Sequence, residues 1–298
     1  MILAKLRGVF PVPLTPFNES DQLVDYGRLR DHVEFMVNTG VHGLVVNGST
    51  SEFPMLSRDE CIEVARTIID QANGRVSIVF GASAPSSEKT LDYCKIAEDI
   101  GADALMMLPP YYFPLSDDEI LKHYEIVSSA TKLPIMLYNN PGTSKIDIKP
   151  ELVAKLAEID NIAYIKESSG ELARIREIKY LAGDKIEVFI GADIIFFDAL
   201  VAGATGVVAS CGNVIPGQMV EIFRLVADEN DVEEGRKKFN KIFPFCAYAD
   251  GNPQFVQVLK TALDIMGKPV GPPRFPLLKL SAKDREELAE RMRASGLC

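Results

Sequence analysis

The sequence predicts a (β/α)8 barrel of the α/β class, followed by a C-terminal helical extension. Three observations predict this fold. Short apolar runs recur at fairly even spacing, segments with helical periodicity separate them, and each run is apolar throughout instead of alternating. Continuous apolar runs are typical of parallel strands covered on both faces. Eight alternating β and α units favour a barrel, with a doubly wound open sheet as the alternative.

The strands are predicted from the apolar runs in chain order. They begin near Gly8, Gly43, Val76, Ala104, Ile135, Ile162, Glu187 and Gly206. A barrel presents its reacting groups at the carboxyl ends of its strands, so the residues after each run are the candidates for chemistry.

The helices between the strands are predicted from their terminal signals. Ser57 with Glu60, and Ser116 with Glu119, have the spacing of capping boxes. Three glycines are predicted to end helices: Gly40, Gly74 and Gly101.

After the eighth unit, helical patterns cover about 231–249, 253–266 and 282–294, and the proline-rich stretch 268–276 is predicted to be a connector. We therefore expect a barrel over 1–230 and a helical region over 231–298 that packs on it.

Composition excludes several classes of protein. Hydrophobic residues make up 47% and charged residues 25%, which is typical of a soluble globular chain and excludes disorder. The formal charge of −10 would repel a phosphate backbone, so we expect no nucleic-acid partner. No apolar run reaches the roughly 18 residues of a membrane helix, so no membrane association is expected.

The cysteines and histidines indicate compartment and chemistry. The five cysteines are scattered without C-x-x-C spacing, which favours free thiols in a reducing compartment. Met1–Lys5 leads directly into a strand-like segment, so we expect no signal peptide and a cytoplasmic location. The three histidines have no metal-binding spacing, and no metal site is expected.

Lys166 is the most informative of the residues at the predicted strand ends. It directly follows the apolar run Ala163–Ile165. An ammonium group at the rim of a barrel core is costly unless it is paired or neutralised. A neutral lysine in a dry pocket forms Schiff bases with carbonyl carbons, which is the chemistry of class I aldolases, dehydratases and deaminases. The structural alternative is an ion pair with Glu167 or a neighbouring carboxylate.

Hydroxyl groups at other strand ends could serve such a lysine. Tyr138 ends the preceding strand, so its phenol could lie beside Lys166 and carry a proton, with Thr50 and Tyr112 as a relay to solvent. The turn of Ser49 and Thr50 offers N–H groups to a carboxylate. Each of these residues also has a structural alternative, as a packed aromatic or as a helix cap.

Six motifs in a fixed order make the chain recognisable. They are Gly8–Phe17, Gly48–Glu52, Pro110–Tyr112, Tyr138–Pro141, Ile165–Gly170 and Gly191–Asp193. Over nearly its whole length the chain resembles the dihydrodipicolinate synthase/N-acetylneuraminate lyase family of Schiff-base (β/α)8 enzymes.

The resemblance implies a role for each matching residue. Lys166 would form the imine and Tyr138 would transfer the proton, with Thr50 and Tyr112 as its relay. The substrate carboxylate would bind Ser49 and Thr50, and the pocket near the imine would be lined by Gly191 and Val208. Family members usually assemble as dimers of dimers, with a tyrosine matching Tyr111 reaching into the neighbouring site, so a homo-oligomer, dimer or homotetramer, is expected.

Two departures from the family pattern bear on the substrate. The synthases carry an arginine two residues after the proline of the Tyr-Asn-x-Pro motif, and this chain has Thr143 there. Threonine cannot replace a guanidinium fork, and Lys145 is only a point charge. The second departure is Ser51 in place of a glycine in the Gly48–Glu52 turn.

The sequence therefore predicts a lysine Schiff-base lyase for pyruvate or a longer 2-oxo acid, of the 2-keto-3-deoxy sugar acid aldolase, dehydratase or deaminase type. The protonated imine serves as the electron sink, so no cofactor is expected. The alternatives are a 4-hydroxy-tetrahydrodipicolinate synthase, joining pyruvate to aspartate semialdehyde, and a silent barrel that only binds a 2-oxo acid. Specificity is expected to depend on four positions: Asn139, Asn140, Thr143 and Ser168.

Overall fold

The computed structural model describes residues 6–298 of the chain, and Met1–Lys5, on which the expected absence of a signal peptide rests, lie outside the described residues. The strands are β1 (Gly8–Pro11), β2 (Gly43–Val46), β3 (Ser77–Gly81), β4 (Ala104–Met107), β5 (Ile135–Asn139), β6 (Ile162–Glu167), β7 (Glu187–Ile190) and β8 (Gly206–Ala209). Seven predicted strand starts are confirmed at the residue, and β3 begins one residue after the predicted Val76.

The α-helices alternate with the strands and then continue alone. They are α1 (Tyr26–Val37), α2 (Arg58–Ala72), α3 (Ser87–Asp99), α4 (Asp117–Ala130), α5 (Pro141–Ser144), α6 (Pro150–Leu156), α7 (Ala173–Ala182), α8 (Phe196–Val201), α9 (Pro216–Phe223), α10 (Val232–Asp250), α11 (Phe255–Ile265) and α12 (Ala282–Ala294). Single 3-10 turns cover Ser49–Ser51, Phe53–Met55, Gly183–Lys185, Asp193–Ile195 and Cys211–Asn213, and a π-helical segment covers Arg224–Asp228.

Both predicted capping boxes are confirmed at the starts of α2 and α4. Glu60 N donates to Ser57 Oγ at 3.2 Å, and Ser57 N donates to the Glu60 carboxylate at 2.8 Å. Ser116 and Glu119 make the same reciprocal pair. Each box satisfies two N–H groups that a helix start leaves without partners, so these helices begin at fixed residues.

The chain forms two compact units. The first contains residues 77–208 with Leu6 and Arg7, and its strands β3 to β8 are parallel and bonded in sequence order. The register places Tyr138 of β5 opposite Lys166 of β6. Side chains at paired positions of neighbouring strands extend from the same face, so this register brings the two side chains together.

The second unit contains residues 8–76 and 209–298, with β1, β2, α1, α2 and the last four helices. The three predicted C-terminal helices are confirmed as α10, α11 and α12, within two residues at each end. The predicted connector has no helix or strand, and it is held by Lys260 Nζ, which donates to Pro272 O at 2.8 Å. The boundary after residue 230 stays a prediction.

The eight strands belong to one sheet in the order β1-β8-β7-β6-β5-β4-β3-β2. Neighbours in sequence are neighbours in the sheet, and β1 lies beside β8, as in a (β/α)8 barrel. A doubly wound sheet would reverse its strand order at a switch point, so that alternative is excluded. The fold is a (β/α)8 barrel with C-terminal helices. Within residues 6–298, no helix has both the length and the apolar character needed to cross a membrane.

Acid should destabilise the second unit through His32. Its Nε2 lies 2.8 Å from Asn213 Oδ1, which also accepts Leu14 N, so Nε2 carries the proton in the neutral ring. Burial lowers the pKa of His32 to about 4. Between about pH 6.5 and pH 4, the unfolded chain therefore binds a proton at this histidine and the folded chain does not. The free energy of unfolding falls as the pH is lowered through that range.

We expect this histidine to remove about 3 kcal/mol of the free energy of unfolding between pH 7 and pH 4. Urea denaturation of the native chain and of His32→Gln at several pH values measures it. The loss should be smaller in the variant by roughly that amount. Equal losses in the two proteins would show that His32 does not titrate as described.

Candidate active site

Lys166 lies near the carboxyl end of β6 in the first unit, with 5% of its surface exposed. Its Nζ lies 4.2 Å from the centroid of the Tyr138 ring. Among the residues that the structure describes, its amine has no ion-pair or hydrogen-bond partner. Within residues 6–298, Lys166 is therefore not part of a structural ion pair. A buried lysine amine without such a partner is of the type that adds to carbonyl carbons.

The structural alternative for Lys166, a pair with Glu167, is not observed. Adjacent strand residues face opposite sides, and the buried Glu167 carboxylate accepts Ser169 N at 2.6 Å and Asn139 Nδ2 at 2.9 Å. Arg174 lies 4.0 Å from it and binds Asp147 with both nitrogens at 2.5 and 2.8 Å. The Arg174 guanidinium lowers the pKa of Asp147. The Glu167 charge is thus compensated on the face away from Lys166.

Tyr138 is held by Asn140, the capping residue directly before α5. Thr143 N donates to Asn140 Oδ1 at 3.2 Å, so the Asn140 amide group presents Nδ2 to the Tyr138 hydroxyl oxygen at 2.9 Å. The phenol oxygen is an acceptor there, and its own proton is directed elsewhere. Thr143 is exposed, and Lys145 turns back to donate to Gly142 O at 2.7 Å. Sequence reasoning missed the positioning role of Asn140, although an Asn before Pro-Gly is a recognisable helix cap.

Gly191 has no side chain, and the Lys166 side chain occupies the space that a larger residue there would fill. A Cβ at Gly191 would collide with Ser168 Oγ and lie 2.7 Å from Lys166 Cε. Ser168 Oγ is buried and has no hydrogen-bond partner among residues 6–298, so it is a group that a polar ligand can satisfy. Val208 on β8 is fully buried. The structure therefore brings Lys166, Tyr138, Ser168 and Gly191 close together, as the strand-end prediction requires.

Gly191→Ala should slow imine formation about 10- to 100-fold, because Lys166 or Ser168 must move to admit the methyl group. The rate of borohydride trapping with pyruvate measures the effect. Gly217→Ala is the matched control, since its Cβ would meet only Thr39 atoms at 3.8 Å. Trapping of Gly191→Ala at the native rate would mean that the lysine does not react in this conformation.

Tyr111 and Tyr112 differ in exposure. Tyr112 is 77% exposed and packs edge-to-face on Phe113, which is itself 69% exposed. Tyr111 is partly buried, and burial raises its pKa. Neither hydroxyl has a hydrogen-bond partner in the described part of this single chain.

The second unit contains the other predicted hydroxyls. Thr50 is buried, Ser49 is half-buried, and Thr50 Oγ1 lies 3.0 Å from Ser210 Oγ. The turn packs closely on Val12, the residue after β1, since a Cβ at Gly48 would lie 2.6 Å from Val12 Cγ1. Ser210 was not predicted as a partner of Thr50, and its position directly after β8 is the only signal for it in the sequence.

The chain is similar to known proteins over nearly its whole length. The model of the dihydrodipicolinate synthetase family matches residues 5–295. The 4-hydroxy-tetrahydrodipicolinate synthase of Methanocaldococcus jannaschii is 34% identical over 98% of this chain and 99% of its own length. The 4-hydroxy-tetrahydrodipicolinate synthase of Geobacter metallireducens is 34% identical over 96% of this chain and 98% of its own length.

A solved structure has the same fold. The dihydrodipicolinate synthase of Acinetobacter baumannii, in complex with pyruvate, superposes with a TM-score of 0.93 at 31% identity, over 99% of this chain and all of that chain. The strand order and this similarity along the whole sequence both indicate the same family. The chain belongs to the dihydrodipicolinate synthetase family and is an enzyme of the lysine Schiff-base, or class I, lyase type.

Proposed function

We propose that Lys166 is the Schiff-base residue and that its substrate is a 2-oxo acid. The observation that carries the proposal is a buried lysine beside a tyrosine, with no counter-charge among the described residues. The amine adds to the keto carbon, water leaves, and the protonated imine accepts the electrons of a bond near C3 or C4 as that bond breaks.

Tyr138 transfers the proton in this proposal. The phenol removes a proton from the substrate, or returns one to it, at the carbon next to the imine. The hydrogen bond from Asn140 Nδ2 holds the phenol oxygen in position at 2.9 Å. The family resemblance assigns Thr50 and Tyr112 to the relay that connects the phenol with solvent.

The rest of the site is proposed from the same resemblance. Ser49 and Thr50 would bind the substrate carboxylate, while Gly191 and Val208 would line the pocket near the imine. Asn140 and Thr143 would influence which substrates fit, since Asn140 contacts Tyr138 and its cap bond depends on the backbone of Thr143.

We propose that the chain acts on a longer 2-oxo acid, of the 2-keto-3-deoxy sugar acid type, by cleavage, dehydration or deamination. Thr143 stands where the synthases of the family carry an arginine. Loss of a guanidinium that binds a carboxylate through two hydrogen bonds should weaken recognition of aspartate semialdehyde. The second candidate is 4-hydroxy-tetrahydrodipicolinate synthase, supported by the names of relatives that are 34% identical.

Two assays distinguish these reactions. One measures pyruvate and other products formed from a panel of 2-keto-3-deoxy sugar acids, and the other measures condensation of pyruvate with aspartate semialdehyde. We expect kcat/KM for the best panel acid to exceed that for the condensation at least about 10- to 100-fold. Efficient condensation with no turnover of any panel acid would make the synthase the correct assignment.

We further propose that the working form is a cytoplasmic homo-oligomer, a dimer or a homotetramer. Free cysteines fit a reducing compartment, and the exposed pair of Tyr112 and Phe113 fits a surface that a second copy covers. The family resemblance assigns to Tyr111 the reach into the neighbouring site. Sedimentation of the native chain and of Tyr112→Ala tests the assembly.

A further inference from the structure

The turn that carries Ser49 and Thr50 is bracketed by two strained residues. Asn47 and Glu52 both have left-handed backbone, with φ of 55° and 59°. Glycine adopts this conformation readily and asparagine tolerates it, whereas glutamate adopts it only where the surrounding structure fixes it. At Asn47 the side chain donates to Cys61 O at 3.0 Å. At Glu52 the restraint is a buried ion pair.

The Glu52 carboxylate is 2% exposed and is bound from two sides. Its Oε1 lies 2.6 Å from Lys260 Nζ of α11, in an ion pair whose angles do not meet those of a hydrogen bond. Its Oε2 accepts a hydrogen bond from Arg274 N at 2.9 Å. Lys260 is 3% exposed and also donates to Thr15 O and Pro272 O, both at 2.8 Å. One ammonium group therefore joins the loop after β1, the turn and the connector.

The loop after β1 holds the same turn directly. Thr15 Oγ1 donates to Ser51 O at 2.6 Å, and Ser51 Oγ donates to Pro13 O at 2.7 Å. Burial lowers the pKa of Lys260 to about 8 despite the Glu52 charge. A buried ion pair is seldom the most stable solution, since apolar residues of similar volume often stabilise a fold as well. Because the Glu52–Lys260 ion pair lies at a turn with left-handed backbone, its role is better explained as holding that turn in one conformation.

We propose that Glu52, paired with Lys260, is a positioning residue for Thr50: it holds the Gly48–Ser51 turn so that the Thr50 hydroxyl stays against Ser210. The proposal rests on the proposed function, in which Thr50 relays protons for Tyr138. Glu52 touches neither substrate nor the reacting atoms, so its loss should affect proton transfer and leave imine formation at saturating pyruvate in place.

The test measures two steps separately. Exchange of the pyruvate methyl protons with D2O, followed by NMR, reports proton transfer, and borohydride trapping of pyruvate reports the imine. Glu52→Gln should trap pyruvate as the native chain does but exchange roughly 10- to 100-fold more slowly, the loss that a displacement near 1 Å produces. In a Thr50→Val background, the same substitution should add less than about threefold.

The control and the rescue variant keep the test decisive. Glu60→Gln removes a second carboxylate that holds the connector, through Arg274 at 2.7 and 2.8 Å, without touching the turn, and it should exchange within about threefold of native. Glu52→Gln with Lys260→Met removes both charges and should fold even where Glu52→Gln alone does not. Slow exchange in this double variant is expected.

Three results would overturn the proposal. The first two are exchange of the pyruvate methyl protons at the native rate in Glu52→Gln or in the double variant. The third is a further loss of exchange of about 10- to 100-fold when Glu52→Gln is added to Thr50→Val. A native chain that neither traps nor exchanges pyruvate, and traps no 2-keto-3-deoxy sugar acid, refutes the proposed function instead, and the two failures are thereby distinguished.

Discussion

Replacing Lys166 with alanine should reduce turnover on the order of 10⁴-fold or more. The variant lacks the amine that forms the imine, so the bond-breaking electrons have no acceptor. Stability should change little or rise, because the substitution removes a buried amine that has no counter-charge among the described residues. Steady-state kinetics with the best panel acid measures the loss, and urea denaturation shows that the variant is folded.

Lys145→Ala is the matched control for this substitution. Lys145 lies in the same unit, close in sequence to Tyr138, but its Nζ is bonded to Gly142 O at 2.7 Å. We expect its turnover to stay within about threefold of native. Full turnover by folded Lys166→Ala would refute the Schiff-base mechanism.

Replacing Tyr138 with phenylalanine should reduce turnover about 10²- to 10⁴-fold, the range for loss of a positioned acid or base. The ring still packs below Lys166, so the imine should form and remain trappable by borohydride. The Asn140 amide loses its acceptor, a further reason for a lower rate. Single-turnover kinetics, with trapping in parallel, separate imine formation from proton transfer.

Tyr164→Phe provides the comparison for Tyr138. Tyr164 lies two residues before Lys166 on β6, and its hydroxyl accepts Leu6 N at 3.1 Å, so it has a structural role in the same unit. We expect near-native turnover from this variant. A Tyr138→Phe enzyme as active as Tyr164→Phe would exclude the phenol as the proton carrier.

The fold and the central pair could be predicted from the sequence because they depend on local patterns. Unbroken apolar runs locate the strands, and capping boxes locate the starts of α2 and α4. Lys166 and Tyr138 each lie one residue before the end of consecutive strands of a parallel sheet, so the topology alone makes them neighbours.

The supporting contacts could not be predicted in the same way. Ser210 meets Thr50 across 160 residues, and Glu52 meets Lys260 of α11. Such contacts depend on turn conformation and on helix placement after the barrel, neither of which has a periodic signal in the sequence. The ion pair expected as an alternative between Lys166 and Glu167 also depends on geometry, and the alternation of β6 excludes it.

Intact-mass spectrometry after borohydride reduction with pyruvate tests the Schiff-base assignment most directly. We expect a gain of one reduced pyruvate per chain, mapped by peptide analysis to Lys166, and none in Lys166→Ala. A folded chain that gains no mass with pyruvate or with any 2-keto-3-deoxy sugar acid, or that gains it on another lysine, would contradict the account.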